Sequence, residues 1–200
     1  MSRARKGFSL NESKSKQEIY EVAEKLFSKK GYHGTTIREI AQARGILSGS
    51  LYSHISSKED LLFQIVDDGA EAFLGALEPI VRSSEDAKSK LRQGLAAHIG
   101  VVTTQMDAAK VFLHEWTALS EFRREIIQDK RDRYENLWAE LISEGISEGV
   151  LRDQDPKYLR ILILSIGNWV YEWYKTTGDL NPEQLADRFM DIILNGAAFK

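Results

Sequence analysis

The chain has no cysteine. That absence excludes a disulfide, a thiolate zinc site and a cysteine nucleophile, and it is compatible with the reducing cytoplasm, where the protein is expected to work. Prolines are scarce: only Pro79, Pro156 and Pro182 occur. The start, Met1–Leu10, is basic but has no apolar core region, so no secretion signal is expected. The longest apolar stretch, Ile161–Gly167, is interrupted by Ser165 and falls far short of the roughly 20 residues that span a bilayer, so no membrane partner is expected. Period-2 alternation of β-branched residues is missing, which argues against sheets. No 20–50-residue repeat is present.

Enzyme signatures are also missing. There is no Gly-x-Gly-x-x-Gly, no phosphate-binding Walker loop and no Gly-x-Ser-x-Gly elbow. His114-Glu115 begins like a zinc-protease motif, but Ala118 stands where the second histidine would be. The four histidines, His33, His54, His98 and His114, lack metal-ligand spacing. Neither an enzyme nor a metal or cofactor site is expected.

What the sequence does have is enough material for a core: 200 residues, 42% hydrophobic and 28% charged. Net charge is −3, unevenly spread. Residues 1–60 hold 11 Lys+Arg against 7 Asp+Glu, while residues 61–200 hold 16 against 23. A basic first third on an acidic body is the asymmetry of a protein that meets an anionic partner with one end.

Helical spacing runs almost throughout, predicting an all-α fold. Ile19, Val22, Ala23, Leu26 and Phe27 form one apolar stripe, and Gly31 stops that helix. Thr36-Ile37-Arg38-Glu39 reads as a capping box opening a short helix that Gly45 ends. A second short helix begins near Leu47 or Ser48. Ser56-Ser57-Lys58-Glu59 reads as a further capping box before a longer helix through Leu61, Leu62, Ile65 and Val66. Further helices are predicted at about 84–105, 107–118, 121–147, 156–176 and 182–196. In the third, Phe122, Ile126, Tyr134, Leu137, Trp138, Leu141 and Ile142 are expected on one apolar face. Asp155-Pro156 and Asn181-Pro182 are start signals, a capping side chain followed by proline at the first helical position. The helix from Pro156 is apolar nearly all round and needs cover on two sides.

Two short helices with a glycine turn, at 36–44 and 47–54, are the arrangement that lays a second helix into a DNA major groove. Around them, Gly31-Tyr32-His33-Gly34-Thr35-Thr36-Ile37-Arg38-Glu39-Ile40-Ala41, Gly45-Ile46-Leu47-Ser48-Gly49-Ser50-Leu51-Tyr52-Ser53-His54 and Ser57-Lys58-Glu59-Asp60-Leu61 resemble the TetR family of bacterial transcriptional regulators. The resemblance covers about 13–73, implying a DNA-binding domain there and a ligand-binding, dimerising domain over 74–200. Thr35 and Thr36 lie at a helix start, where hydroxyls and free amides hold a phosphate. Ser48, Gly49 and Ser50 let the recognition helix approach base edges. Tyr52 and His54 look like the family's backbone-contacting pair. Lys58, Arg38 and Arg44 are expected to add contacts to phosphates. Ile55 departs from the family's usual Phe and is expected to pack inward.

The resemblance implies a homodimer on a palindromic double-stranded operator, its half-sites about one helical turn, roughly 34–36 Å, apart. It also implies pairing through the last two helices, with Ile163, Ile166, Val170, Phe189 and Ile193 as candidates. A small hydrophobic effector is expected to release the DNA. Its pocket is sought among polar-tipped aromatics and histidines: His98, His114, Trp116, Tyr134, Trp138, Trp169 and Trp173. The Gly45–Ser50 turn, the Glu148-Gly149-Val150-Leu151-Arg152 helix end and the Trp169-x-x-x-Trp173-Tyr174 pattern resemble repressors of fatty-acid and steroid breakdown, which sense acyl-CoA thioesters. For such a ligand the available cations are Arg123, Arg124, Arg131, Arg133, Arg160 and Lys175, with none in 161–174. Two alternatives stay open. One is an uncharged inducer of the kind sensed by efflux regulators. The other is an all-α interaction module without a DNA role.

Overall fold

The structure, a computed structural model, describes residues 3–196, with side chains from residue 15 onward. Among them every regular element is helical: α1 (Arg3–Lys30), α2 (Ile37–Arg44), α3 (Ser48–Leu51), α4 (Lys58–Val81), α5 (Ala87–Thr104), α6 (Met106–His114), α7 (Glu121–Ser147), α8 (Pro156–Trp173) and α9 (Pro182–Asn195), with a 3-10 turn at Trp116–Ala118.

The helix starts follow from local chemistry. Thr36 and Glu39 close a reciprocal capping box on α2. Asp155 caps Lys157 N–H ahead of Pro156, and Asn181 caps Gln184 N–H ahead of Pro182. One start differs from expectation. Ser57, not Ser56, caps α4 by accepting Asp60 N–H. Glu59, expected to complete a box there, instead accepts Ser120 N–H at 3.0 Å. A tertiary contact has drawn the carboxylate away.

α1 to α3 pack on the start of α4 around Ile19, Ala23, Phe27, Ile40, Leu51, Ile55 and Leu61, all buried. Ile55 thus packs inward as expected. α4 then runs on into the body, so the expected division between 73 and 74 falls inside a helix that both halves share. In the body α5 is central, covered by α4, α7, α8 and α9, while α6 packs against α1 and α4.

Two readings need correction. Phe122 is 72% exposed and Ile127 is buried in its place. The inward face of α7 runs through Ile127, Tyr134, Trp138, Leu141 and Gly145, and at 100° per residue Phe122 lies far round the helix from it. α8 ends at Trp173, not at 176: Tyr174 is extended and its hydroxyl donates to Leu180 O at 3.0 Å, tying the turn into α9.

Candidate nucleic-acid interface and internal cavity

Gly45 turns the chain between α2 and α3 with φ of 77°, a left-handed conformation that glycine adopts without a Cβ clash. Leu51 anchors α3 in the core, so Leu47, Gly49, Ser50, Tyr52 and Ser53 are exposed beside it, with Ser48 and His54 partly so. Arg38 is exposed on α2, without an ion pair among the described residues. These residues are solvent-facing parts of α2, of α3 and of the chain flanking α3.

Four residues expected to meet phosphate are already engaged. Thr35 is 1% exposed, and its hydroxyl donates to Leu26 O and Gly31 O, closing the end of α1. Thr36 is exposed, but its N–H and hydroxyl both donate to Glu39 Oε2. A Lys30 hydrogen bond, with those from Thr36, holds the Glu39 carboxyl down to about 2. The amides left without an intrahelical partner there are those of Ile37 and Arg38. Lys58 donates to Tyr32 O at 2.9 Å and Thr35 O at 2.8 Å, with its ammonium 4.0 Å from the centre of the Tyr32 ring. Arg44 pairs with Glu18 of α1. Short side chains near a helix start read alike in sequence whether they face solvent or the preceding helix. Only the packing of α2 on α1 separates the two cases.

The body holds a narrow cavity of about 40 Å³, lined by Ala70 and Phe73 of α4, His98 of α5, Phe112 and Leu113 of α6, Lys130, Arg131, Tyr134 and Glu135 of α7, and Leu164 and Asn168 of α8. At its wall His98 Nδ1 and the Tyr134 hydroxyl are 2.8 Å apart. Burial pushes the His98 imidazole down to about 4, so it is neutral, and burial raises the Tyr134 phenol. His98 Nε2 is buried beside Asn168 without a well-formed hydrogen bond. Arg131 stacks on Phe112 and Trp116, its guanidinium about 5 Å from each ring. Its Nη1 is buried without a hydrogen-bond partner, and burial lowers its pKa. Lys130, next to it, is tied to Asp67 and Glu71 at 2.5 and 2.6 Å.

Of the seven expected pocket residues, His98 and Tyr134 line this cavity. The other five lie elsewhere. Trp138 is fully buried in the core, facing Gly94. Trp116 covers Arg131 from outside. His114 pairs with the Tyr171 hydroxyl at the surface, at 2.6 Å. Trp169 and Trp173 are 59% and 47% exposed. Phe73, Phe112 and Asn168 were not anticipated. For Arg131 the sequence did carry a signal: it falls on the inward α7 register between Ile127 and Tyr134, where a charge needs a reason. Of the other expected cations, Arg123 pairs with Asp60, Arg133 with Glu78, and Arg160 with Glu135 of the cavity lining.

The expected pairing residues also divide. Ile163 and Val170 are buried within the protomer, at 1% and 0%, by α8 packing on α5 and α7. Ile166, Phe189 and Ile193 are half-buried. The outward face of α8 and α9 is instead Tyr158, Ile161, Leu162, Trp169, Trp173 and Ile192.

No helix among the described residues is long and apolar enough to cross a membrane. The family model for bacterial regulatory proteins of the tetR family matches residues 19–65, and that for the tetracyclin repressor-like C-terminal domain matches residues 84–197. The HTH-type transcriptional repressor KstR2 of Rhodococcus jostii (strain RHA1) is 28% identical over 183 residues, 90% of this chain and 90% of that one. The structure of the ketosteroid transcriptional regulator KstR2 of Mycobacterium tuberculosis superposes with a TM-score of 0.84 at 26% identity, covering 92% of this chain and 95% of that one. The crystal structure of AibR in complex with isovaleryl coenzyme A and operator DNA gives a TM-score of 0.79 at 30% identity, covering 90% and 98%. Matched along both head and body, the chain belongs to the TetR family of bacterial regulatory proteins, which are transcriptional regulators and not enzymes.

Proposed function

We propose that the protein is a transcriptional repressor that binds a two-fold operator as a homodimer and is released by an acyl-CoA thioester. The observation that carries the effector reading is Arg131, a cation set in the wall of a cavity that is also lined by Phe73, Phe112, Leu113 and Leu164, with one guanidinium nitrogen lacking a partner. Arg131 is half-buried, and Glu135 on the same cavity wall is paired with Arg160, so an anion or strong acceptor that reaches Nη1 would offset the cost of desolvation. An uncharged inducer would leave that cost in place. The likeness to AibR, solved with isovaleryl coenzyme A and operator DNA, supports the same class.

A volume of about 40 Å³ has room for a water or two. An acyl group that fills the cavity beyond that volume would displace its walls, Phe112 of α6 among them. That supplies the differential affinity release requires, since the effector binds the widened body better than the narrow one. α6 packs on α1, and Glu115, just past its end, touches the loop before α2. A shift in α6 thus reaches the head.

The test is operator release titrated with short- and long-chain acyl-CoA, the matching free acids, free CoA and a neutral hydrophobe. Release by a thioester at concentrations where free CoA and free acid do nothing is the expected result. Release by the neutral hydrophobe, with no effect of any thioester, would overturn the reading in favour of an efflux-type inducer.

A further inference from the structure

The recognition helix carries none of the side chains that read a base pair through two hydrogen bonds. From Ile46 to His54 there is no Arg, Lys, Asn or Gln, the residues that pair bidentately with guanine or adenine in the major groove. Its polar groups are single: hydroxyls of Ser48, Ser50, Tyr52 and Ser53, and the His54 ring. The Ser53 hydroxyl is already bonded to Ser50 O at 2.7 Å.

Against this stands Leu47. At 79% it is the most exposed large apolar side chain among the described residues. It occupies the N-cap of α3, where Ser, Thr, Asp or Asn would bond a free amide, and it makes no such bond. One residue therefore carries two local penalties, an uncapped helix and an uncovered leucine. It stands at the end of the helix whose first residues reach base edges. Gly49, two residues on, has open space about its α-carbon, so nothing holds the backbone away from a groove.

We propose that Leu47 is a specificity-determining residue that packs against the C5-methyl group of a thymine in each operator half-site. The methyl is the apolar feature of the major groove, and a leucine without protein cover is its complement. The inference rests on the DNA-reading role proposed above. With bidentate readers missing from α3, recognition there falls to methyl contact and single hydroxyls.

The experiment starts from the duplex that the full-length protein selects from a random pool. Each thymine of that duplex is replaced in turn by deoxyuridine, which removes only the methyl. Expected is one symmetry-related thymine per half-site whose replacement weakens wild-type binding about three- to fivefold per site, the equivalent of one buried methyl. Leu47→Ser, which supplies the missing cap and so keeps the fold, should bind the thymine and deoxyuridine duplexes equally. Wild-type affinity unchanged by every replacement overturns the proposal, as does a Leu47→Ser protein that keeps the wild-type ratio. Failure to select any duplex would instead overturn the DNA-reading role itself.

Discussion

The Glu115 carboxylate, just beyond α6, accepts the backbone N–H of Tyr32 at 2.8 Å, while Lys58 of α4 donates to the Tyr32 carbonyl at 2.9 Å. The residue between α1 and α2 is thus held from both sides, by an anion on its amide and a cation on its oxygen. Glu115 lies between Phe112, a cavity wall, and Trp116, which covers Arg131. Cavity and head loop therefore share one short segment of chain.

Removing the anion should loosen the loop without touching the cavity. Glu115→Ala is expected to speed hydrogen exchange of the Tyr32 amide and weaken operator binding about five- to tenfold, since a hydrogen bond to a charged group contributes about 1.5–3 kcal/mol when well shielded and less here, where Glu115 is part-exposed. Glu115→Gln, which keeps an acceptor oxygen, should fall between. Effector affinity measured without DNA should not change. Unaltered exchange at Tyr32 in the alanine variant would show that the contact does not hold the loop.

Lys58→Ala separates an indirect from a direct role in DNA binding. Each phosphate contact contributes about −0.9 to the log–log salt slope. With its ammonium on Tyr32 O and Thr35 O, Lys58 should alter affinity through the loop and leave the slope nearly constant, with a lower melting temperature. Arg38→Ala, at an exposed position, should flatten the slope by about one contact. Titrations at several salt concentrations distinguish the two.

Arg131→Met keeps the stem that packs on Phe112 and Trp116 and deletes the charge. Melting temperature should hold or rise, because a desolvated cation without an ion pair is removed. Operator affinity should stay near wild type, and release by acyl-CoA should weaken at least tenfold. Retained thioester response would remove Arg131 from the effector site.

Most of the helical frame was legible because its signals are local: capping side chains at Thr36, Asp155 and Asn181, prolines at 156 and 182, glycines at 31 and 45, and apolar stripes between them. The site was less legible because its residues are chosen by packing. Nothing near Thr35 in sequence indicates that Leu26 O and Gly31 O will take its hydroxyl. Tryptophans four apart mark one helix face, but not whether that face turns inward. Trp169 and Trp173 face out because the buried side of α8 is the neighbouring stripe of Leu159, Ile163, Gly167 and Val170.

That outward face leads to the assembly prediction. Tyr158, Leu162, Trp169 and Trp173 share one side of α8, with Ile192 exposed on α9. Trp169→Glu with Trp173→Glu should convert a dimer to a folded monomer, seen by light scattering at micromolar concentration with the helical circular dichroism retained. Ile163→Ala and Val170→Ala should instead lower the melting temperature, as buried truncations of about 1–4 kcal/mol do, and leave the dimer intact. A wild-type protein that is monomeric under these conditions would defeat the prediction.

His98 and Gly167 together set a dependence on pH. A Cβ on residue 167 would lie 2.4 Å from His98 Cδ2, so α8 approaches the imidazole only because that position is glycine. Gly167→Ala should destabilise by about 1–3 kcal/mol through forced displacement. Burial holds the His98 imidazole down to about 4 against an ordinary value of 6.5. Between those values the unfolded chain binds a proton that the folded one does not, so stability rises with pH across that window. It is fully present above about 6.5 and is lost as pH falls toward 4, by up to about 3 kcal/mol. His98→Leu should remove this part of the acid sensitivity, while lowering stability at neutral pH by leaving the Tyr134 hydroxyl without its partner. Chemical denaturation of both proteins at pH 4.5, 5.5, 6.5 and 7.5 provides the check. Parallel curves would show that His98 is not the group responsible.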